Sequence, residues 1–241
     1  MFKLVIFDLD GVLIRAKDIH YRALNTAIQK FGDQYVITRN EHLNFYDGLK
    51  TTAKLLKLTK EKKLPISFHD QIWSEKQKIT QKELHNLVPQ ENLTEIFEYL
   101  KSNHCKIACC SNSIRTTVYT ALSKIGAMPF MDLIISNEDV KNSKPHPEMY
   151  WNAMSIFSLN PEETLIVEDS PHGLLAAQRS GAKVLRVKNP DDLTKIKIKS
   201  FLKEKKKIMN TSWQDKKLNV LIPMAGAGSR FEAAGYTFPQ P

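Results

Sequence analysis

The chain has 241 residues, of which 42% are hydrophobic, so it can bury a sizeable core and has room for one domain or two. Its net charge of +9 comes mostly from residues 195–217, which hold nine lysines against Glu204 and Asp215; such a run is typical of a solvated linker, has no recognition motif beside it, and argues against a nucleic-acid partner. No apolar stretch reaches the ~20 residues of a transmembrane helix, and Asp8 interrupts the amino-terminal apolar run, which is therefore not a secretory signal. The three clustered cysteines fit buried reduced thiols. We therefore expect a cytoplasmic protein without membrane association.

The order of the predicted elements indicates an α/β fold. A short buried strand at Leu4-Val5-Ile6 comes first, and residues 16–85 follow a helical pattern without a convincing long strand. Helices and strands then alternate: helix 91–102, strand 105–110, helix 115–125, strand 132–136, helix 146–157, strand 164–168, helix 171–180 and strand 183–187. This alternation predicts a parallel sheet with right-handed crossovers, with residues 16–85 as a helical lid above its carboxyl edge.

Polar side chains follow the predicted strands or open the helices after them. Ligands of open α/β sheets bind at the carboxyl ends of the strands, so we expect these side chains to meet there. The set comprises Asp8, Asp10, Ser111, Asn112, Lys144, Glu168 and Asp169.

The chemistry of this set suits the transfer of a phosphoryl group. Asp8 is the candidate nucleophile, which would form an aspartyl-phosphate, and Asp10 is the candidate acid and base. Ser111 and Lys144 are candidate phosphate ligands, the first through its hydroxyl and the second through its charge. Asn112 is a further phosphate-binding candidate, with a role at the start of the following helix as the alternative. Carboxylates beside a phosphate need a cation, and oxygen ligands favour Mg²⁺, held by Asp8, Asp169 and Glu168.

Four stretches resemble the motifs of the haloacid dehalogenase-like (HAD) superfamily, in order, over residues 1 to about 190. They are Phe7-Asp8-Leu9-Asp10-Gly11-Val12-Leu13, Ser111-Asn112-Ser113, Ser143-Lys144-Pro145 and Val167-Glu168-Asp169-Ser170-Pro171-His172-Gly173. The resemblance implies a Rossmann-like core with an inserted helical cap. It also implies the roles given above for the core residues and adds the backbone carbonyl of Asp10 as a metal ligand.

Within this superfamily, the chain resembles the phosphoglycolate phosphatase and β-phosphoglucomutase branch. His20, Lys50 and Lys76 lie near the hinge and cap positions of that branch, while Arg15 and Ala16 replace its usual Asp followed by Ser or Thr. His20, Lys50, Lys76 and Arg15 are therefore candidate substrate contacts. Plain helix, hinge or solvent-facing roles remain the alternatives for them.

These observations lead to one functional hypothesis and two alternatives. The hypothesis is a Mg²⁺-dependent phosphatase acting on a small phosphorylated metabolite, such as a sugar phosphate. The alternatives are a phosphosugar mutase of the β-phosphoglucomutase kind and a noncatalytic phosphate-ligand or nucleic-acid binding module. Oligomeric state is left open by the sequence.

The predicted domains follow from these boundaries. Residues 1–15 and 86–194 form the catalytic core, residues 16–85 the cap and residues 195–217 a lysine-rich linker. Residues 218–241, with the glycine-rich run Met224-Ala225-Gly226-Ala227-Gly228-Ser229-Arg230, resemble the truncated start of a sugar-nucleotide pyrophosphorylase, a nucleotidyltransferase-like domain.

Overall fold

The structure is a computed structural model, and it describes residues 2–209. The segment that resembles the start of a nucleotidyltransferase-like domain, residues 218–241, lies outside this part of the chain. None of the helices within residues 2–209 is both long and apolar enough to cross a membrane.

Five parallel strands form a single sheet in the order β3-β2-β1-β4-β5. Apolar residues fill β1 and the middle of β4, and every residue of these two strands is buried, as expected for the centre of a parallel sheet covered on both faces. The strands are β1 (Leu4–Phe7), β2 (Lys106–Cys110), β3 (Leu133–Ile135), β4 (Thr164–Glu168) and β5 (Lys183–Arg186). The predicted α/β fold is confirmed.

The helices lie before, between and after the strands. In the described residues they are α1 (Ala16–Gln29), α2 (Arg39–Glu41), α3 (Thr51–Lys62), α4 (His69–Leu84), α5 (Glu91–Ser102), α6 (Arg115–Lys124), α7 (Glu148–Ile156), α8 (Pro171–Arg179) and α9 (Lys195–Met209), with one π-helical turn at His42–Tyr46.

The helices α1 to α4 form an insert between β1 and the rest of the sheet. They bury an apolar cluster of their own around Leu24, Ile28, Tyr46, Leu58 and Ile72. The first turn of α1 instead packs against the main core, where Ala16 and Ile19 are buried. The insert is therefore anchored to the core through the start of α1 and carries its own apolar centre.

The core extends beyond residue 194, where the sequence analysis ended it. Residues 195–209 form α9, although a solvated linker was predicted there, and Ile198 and Leu202 are buried in the same cluster as Leu193. Ile198 and Leu202 are four residues apart, so they lie on one face of the helix. The many lysines of this segment led to the prediction of a linker, and the apolar face was overlooked in the sequence.

Candidate active site

Three neighbouring strands bring the central candidates to one edge of the sheet. The order β2-β1-β4 places Ser111, Asp8 and Glu168 side by side at the carboxyl ends. The backbone N–H of Asp8 donates to the carbonyl of Val167 at 3.0 Å, so the chain leaves β1 still attached to β4. The strand order therefore brings these motifs together at the carboxyl edge of the sheet, as the sequence predicts.

Two glycines let the loops at this edge approach the carboxylates. Gly11 has a φ of +99°, and a Cβ atom there would lie 2.1 Å from Oδ2 of Asp169. A Cβ atom on Gly173, in the first turn of α8, would lie 1.9 Å from Oε1 of Glu168. Both positions exclude any side chain, so the two glycines of the motifs make room for the acidic groups.

Lys144 lies between two buried carboxylates. Its ammonium group donates to Oδ1 of Asp8 and to Oε1 of Glu168, each at 2.6 Å, and to the carbonyl of Cys110 at 2.8 Å. Burial disfavours its charge, but the attraction of Asp8 and Glu168 outweighs this and raises the pKa of Lys144 well above its ordinary value. Burial and repulsion from Glu168 raise the pKa of Asp8 well above its ordinary value, despite the nearby ammonium group. Asp8 therefore depends on neighbouring positive charge to stay ionised.

The carboxylates of Asp8, Glu168 and Asp169 form a buried oxygen cluster. One oxygen from each of the three lies within 4.8 Å of the others. Oδ1 of Asp169 has no hydrogen-bond partner among the described residues, and burial raises the pKa of Asp169 to about 6. A compact set of oxygen donors, one of them unpaired, fits a hard divalent cation such as Mg²⁺.

Asp10 lies between the core and the insert. Ser113 donates its hydroxyl hydrogen to Oδ2 of Asp10 at 2.7 Å, and Nε2 of His20 lies 3.1 Å from Oδ1. Burial would raise the pKa of Asp10, but the close approach of His20, the hydrogen bond from Ser113 and the charge of Lys76 lower it to about 2. Asp10 is thus an ionised carboxylate in the free protein, ready to accept a proton.

The two candidates that follow β2 have different surroundings. Oγ of Ser111 accepts a hydrogen bond from the backbone N–H of Ser113 at 3.0 Å, which leaves its own hydroxyl hydrogen free to donate. Both hydrogens of the Asn112 side-chain amide are occupied, by the carbonyls of Gly48 and Lys144 at 3.0 Å each. Asn112 has no side-chain donor left for a phosphate. The amide links Gly48 of the insert to the loop of Lys144, and the phosphate-binding role of Asn112 stays a prediction.

The candidates near the insert are divided between the cavity and the outer surface. His20, Lys50 and Lys76 line a cavity of about 70 Å³, together with Asp8 and Asp10. Arg15 does not line it, since its guanidinium pairs with Asp191 on the surface. The structure gives no support to the predicted contact of Arg15 with the substrate, which stays a prediction. Its partner is 176 residues away in sequence, which no local pattern reveals.

Several residues at the site were missed by the sequence analysis. Lys17 lies 2.7 Å from Asp169 and 3.1 Å from Asp47, and both Lys17 and Asp47 line the cavity. Tyr150, fully buried on α7, donates its hydroxyl hydrogen to Glu168 at 2.8 Å. Lys54 on α3 also faces the cavity. Only Tyr150 had a local signal, because it lies in the first turn of α7, the helix that follows the Lys144-Pro145 motif.

Comparisons with known proteins agree with this geometry. A family model described as haloacid dehalogenase-like hydrolase matches residues 5–187. A phosphorylated carbohydrates phosphatase of Thermotoga maritima is 25% identical over 179 residues, which cover 73% of this chain and 81% of the relative. The pyrophosphatase PpaX of Bacillus mycoides is 29% identical over 192 residues, which cover 76% of this chain and 82% of the relative.

Solved structures share the fold. A crystal structure of β-phosphoglucomutase from Clostridium difficile has a TM-score of 0.72 at 22% identity, over 85% of this chain and 99% of that one. Identity at this level concerns the fold alone. The family match ends at residue 187, so the resemblance of residues 218–241 to a nucleotidyltransferase-like domain has no support from it and stays a prediction.

Proposed function

The chain belongs to the haloacid dehalogenase-like hydrolase family, and from that premise we propose that it is a Mg²⁺-dependent phosphatase of a small phosphate monoester, such as a sugar phosphate. The proposal includes an aspartyl-phosphate on Asp8. Relatives named as a phosphatase and a pyrophosphatase support a hydrolase of phosphate esters. The observation that carries the proposal is the buried contact of Asp8 with Lys144, beside the oxygen cluster of Glu168 and Asp169.

In the first step, an oxygen of Asp8 attacks the phosphorus atom and the bond to the leaving oxygen breaks. Lys144 neutralises the negative charge that spreads over the phosphoryl oxygens, and the free hydroxyl hydrogen of Ser111 supports another oxygen. A Mg²⁺ ion held by Asp8, Glu168 and Asp169 supplies further positive charge when bound. This also keeps Asp8 ionised, which its raised pKa requires.

Asp10 handles the protons of both steps. The leaving oxygen takes a proton from Asp10 in the first step. In the second step a water molecule gives its proton to Asp10 and attacks the phosphorus atom, and the bond to Asp8 breaks. A pKa of about 2 in the free protein suits the second role directly. For the first role, the pKa must rise, and the approach of a dianionic phosphate raises it by repulsion.

The test is phosphate release from a panel of small phosphomonoesters, with Mg²⁺ and with a chelator. Asp8→Asn should abolish release with the fold intact. Asp10→Asn should slow an alkyl phosphate by about 10²–10⁴-fold, the usual effect of general acid–base catalysis. The same variant should reduce the turnover rate of an aryl phosphate by a smaller factor, because the aryl leaving group needs little protonation. Asp70→Asn, an exposed aspartate on α4, is the matched control.

Two results would contradict the mechanism. Wild-type turnover by a folded Asp8→Asn protein would exclude Asp8 as nucleophile. Equal losses for alkyl and aryl phosphates in Asp10→Asn would exclude its role as the acid. Rearranged phosphosugar without released phosphate would indicate the mutase alternative, in which an alcohol takes the place of water.

A further inference from the structure

Lys17, in the first turn of α1, lies between two carboxylates that belong to different parts of the fold. Its ammonium group is 2.7 Å from Oδ2 of Asp169 and 3.1 Å from Oδ2 of Asp47. Asp169 belongs to the buried oxygen cluster of the core, whereas Asp47 follows the π-helical turn of the insert and lies outside that cluster. Lys17 therefore bridges the candidate Mg²⁺ site and the insert.

Two lysines share the compensation of charge at the oxygen cluster. Lys144 contacts the carboxylates of Asp8 and Glu168. Within the described part of the chain, the one cation at ion-pair distance from Asp169 is Lys17. The charge of Asp169 is thus balanced by a residue that has no part in the proposed transfer of the phosphoryl group.

The two lysines are held in different ways. The ammonium group of Lys144 is almost fully buried and donates hydrogen bonds to Asp8, to Glu168 and to the carbonyl of Cys110. The side chain of Lys17 is 29% exposed, and neither oxygen of Asp169 has a well-aligned hydrogen bond from the described residues. The contact of Lys17 with Asp169 therefore rests on charge, and another cation can replace it.

A divalent cation at the oxygen cluster draws on the same carboxylate as Lys17. Two positive charges close to one carboxylate repel each other, and the repulsion is strong where burial lowers the effective dielectric constant. Asp47 offers Lys17 a second carboxylate, which the cluster does not include. The ammonium group can keep this second ion pair at the wall of the cavity while Asp169 binds the cation.

We propose that Lys17 competes with Mg²⁺ for Asp169, and that Asp47 holds the ammonium group once the cation has taken its place. The proposal rests on the Mg²⁺ site of the proposed function and adds a residue that sets the affinity of that site. Lys17 is a positioning residue in this account, since it acts through Asp169. Cation loading then reduces the bridge between core and insert to an ion pair within the insert.

Calorimetric titration of the full chain with MgCl₂ at pH 8, without substrate, measures the competition. Lys17→Met keeps the length of the side chain and removes its charge, so it should bind Mg²⁺ about tenfold more tightly than the wild type. Lys17→Arg keeps the charge and should bind within about threefold of the wild type. Lys30→Met removes an exposed lysine that pairs with Glu75 inside the insert, and it is the matched control.

The second partner of Lys17 provides a variant with the opposite sign. Asp47→Asn leaves Lys17 with Asp169 as its partner and should weaken Mg²⁺ binding by about threefold or more. In the Lys17→Met background, the same substitution should change the affinity by less than about twofold, because Asp47 acts through Lys17. A simple loss of negative charge at the cavity would weaken binding in both backgrounds.

Melting temperatures give a second measurement. Without Mg²⁺, Lys17→Met should melt below the wild type, because Asp169 loses its positive partner. A Mg²⁺ concentration well above both dissociation constants should then raise the melting temperature of Lys17→Met by about 3 °C more than that of the wild type. This difference corresponds to about tenfold in affinity.

Unchanged or weaker Mg²⁺ binding by Lys17→Met would overturn the competition and leave the Mg²⁺ site in place; weaker binding would mean that Lys17 orients Asp169 for the cation. Equal effects of Asp47→Asn in both backgrounds would overturn the role of Asp47. If Lys17→Met is poorly folded, Asp47→Asn decides: weaker binding supports the competition, and unchanged or tighter binding overturns it. If the wild type and all variants fail to bind Mg²⁺, the cation site of the proposed function fails as well.

Discussion

Replacing Lys144 by methionine should lower the stability of the protein by more than the small change in packing accounts for. The side chain keeps its volume, but Asp8 and Glu168 lose the ammonium group that lies 2.6 Å from each. Removing one partner of a buried ion pair usually costs about 3–5 kcal/mol, because the other charge is left uncompensated. That is a large part of the 5–15 kcal/mol by which a typical domain is stable. In urea, the midpoint of unfolding should fall by roughly 1–3 M.

The pH dependence of this loss has a definite sign. Without Lys144, the folded-state pKa of Asp8, already raised, rises further above its unfolded value. The folded protein then binds more protons than the unfolded chain, so the stability of the variant falls as the pH rises from about 4. The deficit against wild type should therefore be largest at neutral pH and shrink in acid.

The assay is urea unfolding of Lys144→Met without added metal, followed by circular dichroism at several pH values. Lys141→Met, an exposed lysine in the same loop, is the control. Adding Glu168→Gln should recover part of the loss, which gives a second measurement if the single variant is poorly folded. Equal midpoints for Lys144→Met and Lys141→Met would refute the argument that the buried pair holds these carboxylates.

Two further predictions concern stability. A chain ending at residue 209 should unfold cooperatively. A chain ending at residue 189 loses Leu193, Ile198 and Leu202 from the core, and each loss removes about 1.5–3 kcal/mol of stability. This chain should be largely unfolded by circular dichroism. A native-like thermal unfolding curve would instead place α9 outside the core. Burial lowers the pKa of His42 to about 4. The unfolded chain then binds more protons below pH 6.5, so stability should fall by about 3 kcal/mol between pH 6.5 and 4. His42→Phe should remove that part of the slope, and an unchanged slope would contradict the assignment.

The sequence predicted the sheet well because each strand carries its own signal. A short run of apolar residues such as Leu165-Ile166-Val167 forms a strand buried on both faces, and the polar residue after it marks the end. Predicted strand ends agree with the observed ones to within one residue. The signal was mixed in residues 195–209. The many lysines led to the prediction of a solvated linker, whereas Ile198 and Leu202 are spaced for one helix face and the structure has the helix α9 there.

The position of a site residue could be predicted from the sequence only where the residue directly follows a strand. Asp8, Ser111 and Glu168 need nothing beyond their own strand to reach the sheet edge. The contacts of Arg15 and Asn112 depend on residues far away in sequence, Asp191 for the first and Gly48 for the second, so no local pattern predicts them. Lys17 was missed for the same reason, because Asp47 and Asp169 meet it only in the folded chain.

Lys54 and Lys76 carry this argument one step further. A lysine in a helix is usually solvated, so the sequence alone does not show that Lys54 or Lys76 is buried. Burial separates them from surface lysines, and the absence of a carboxylate partner among the described residues separates them from Lys144. A buried charge with a partner is explained by the fold. A buried charge without one, as at Lys54 and Lys76, depends on how α3 and α4 face the cavity, which no local sequence pattern shows.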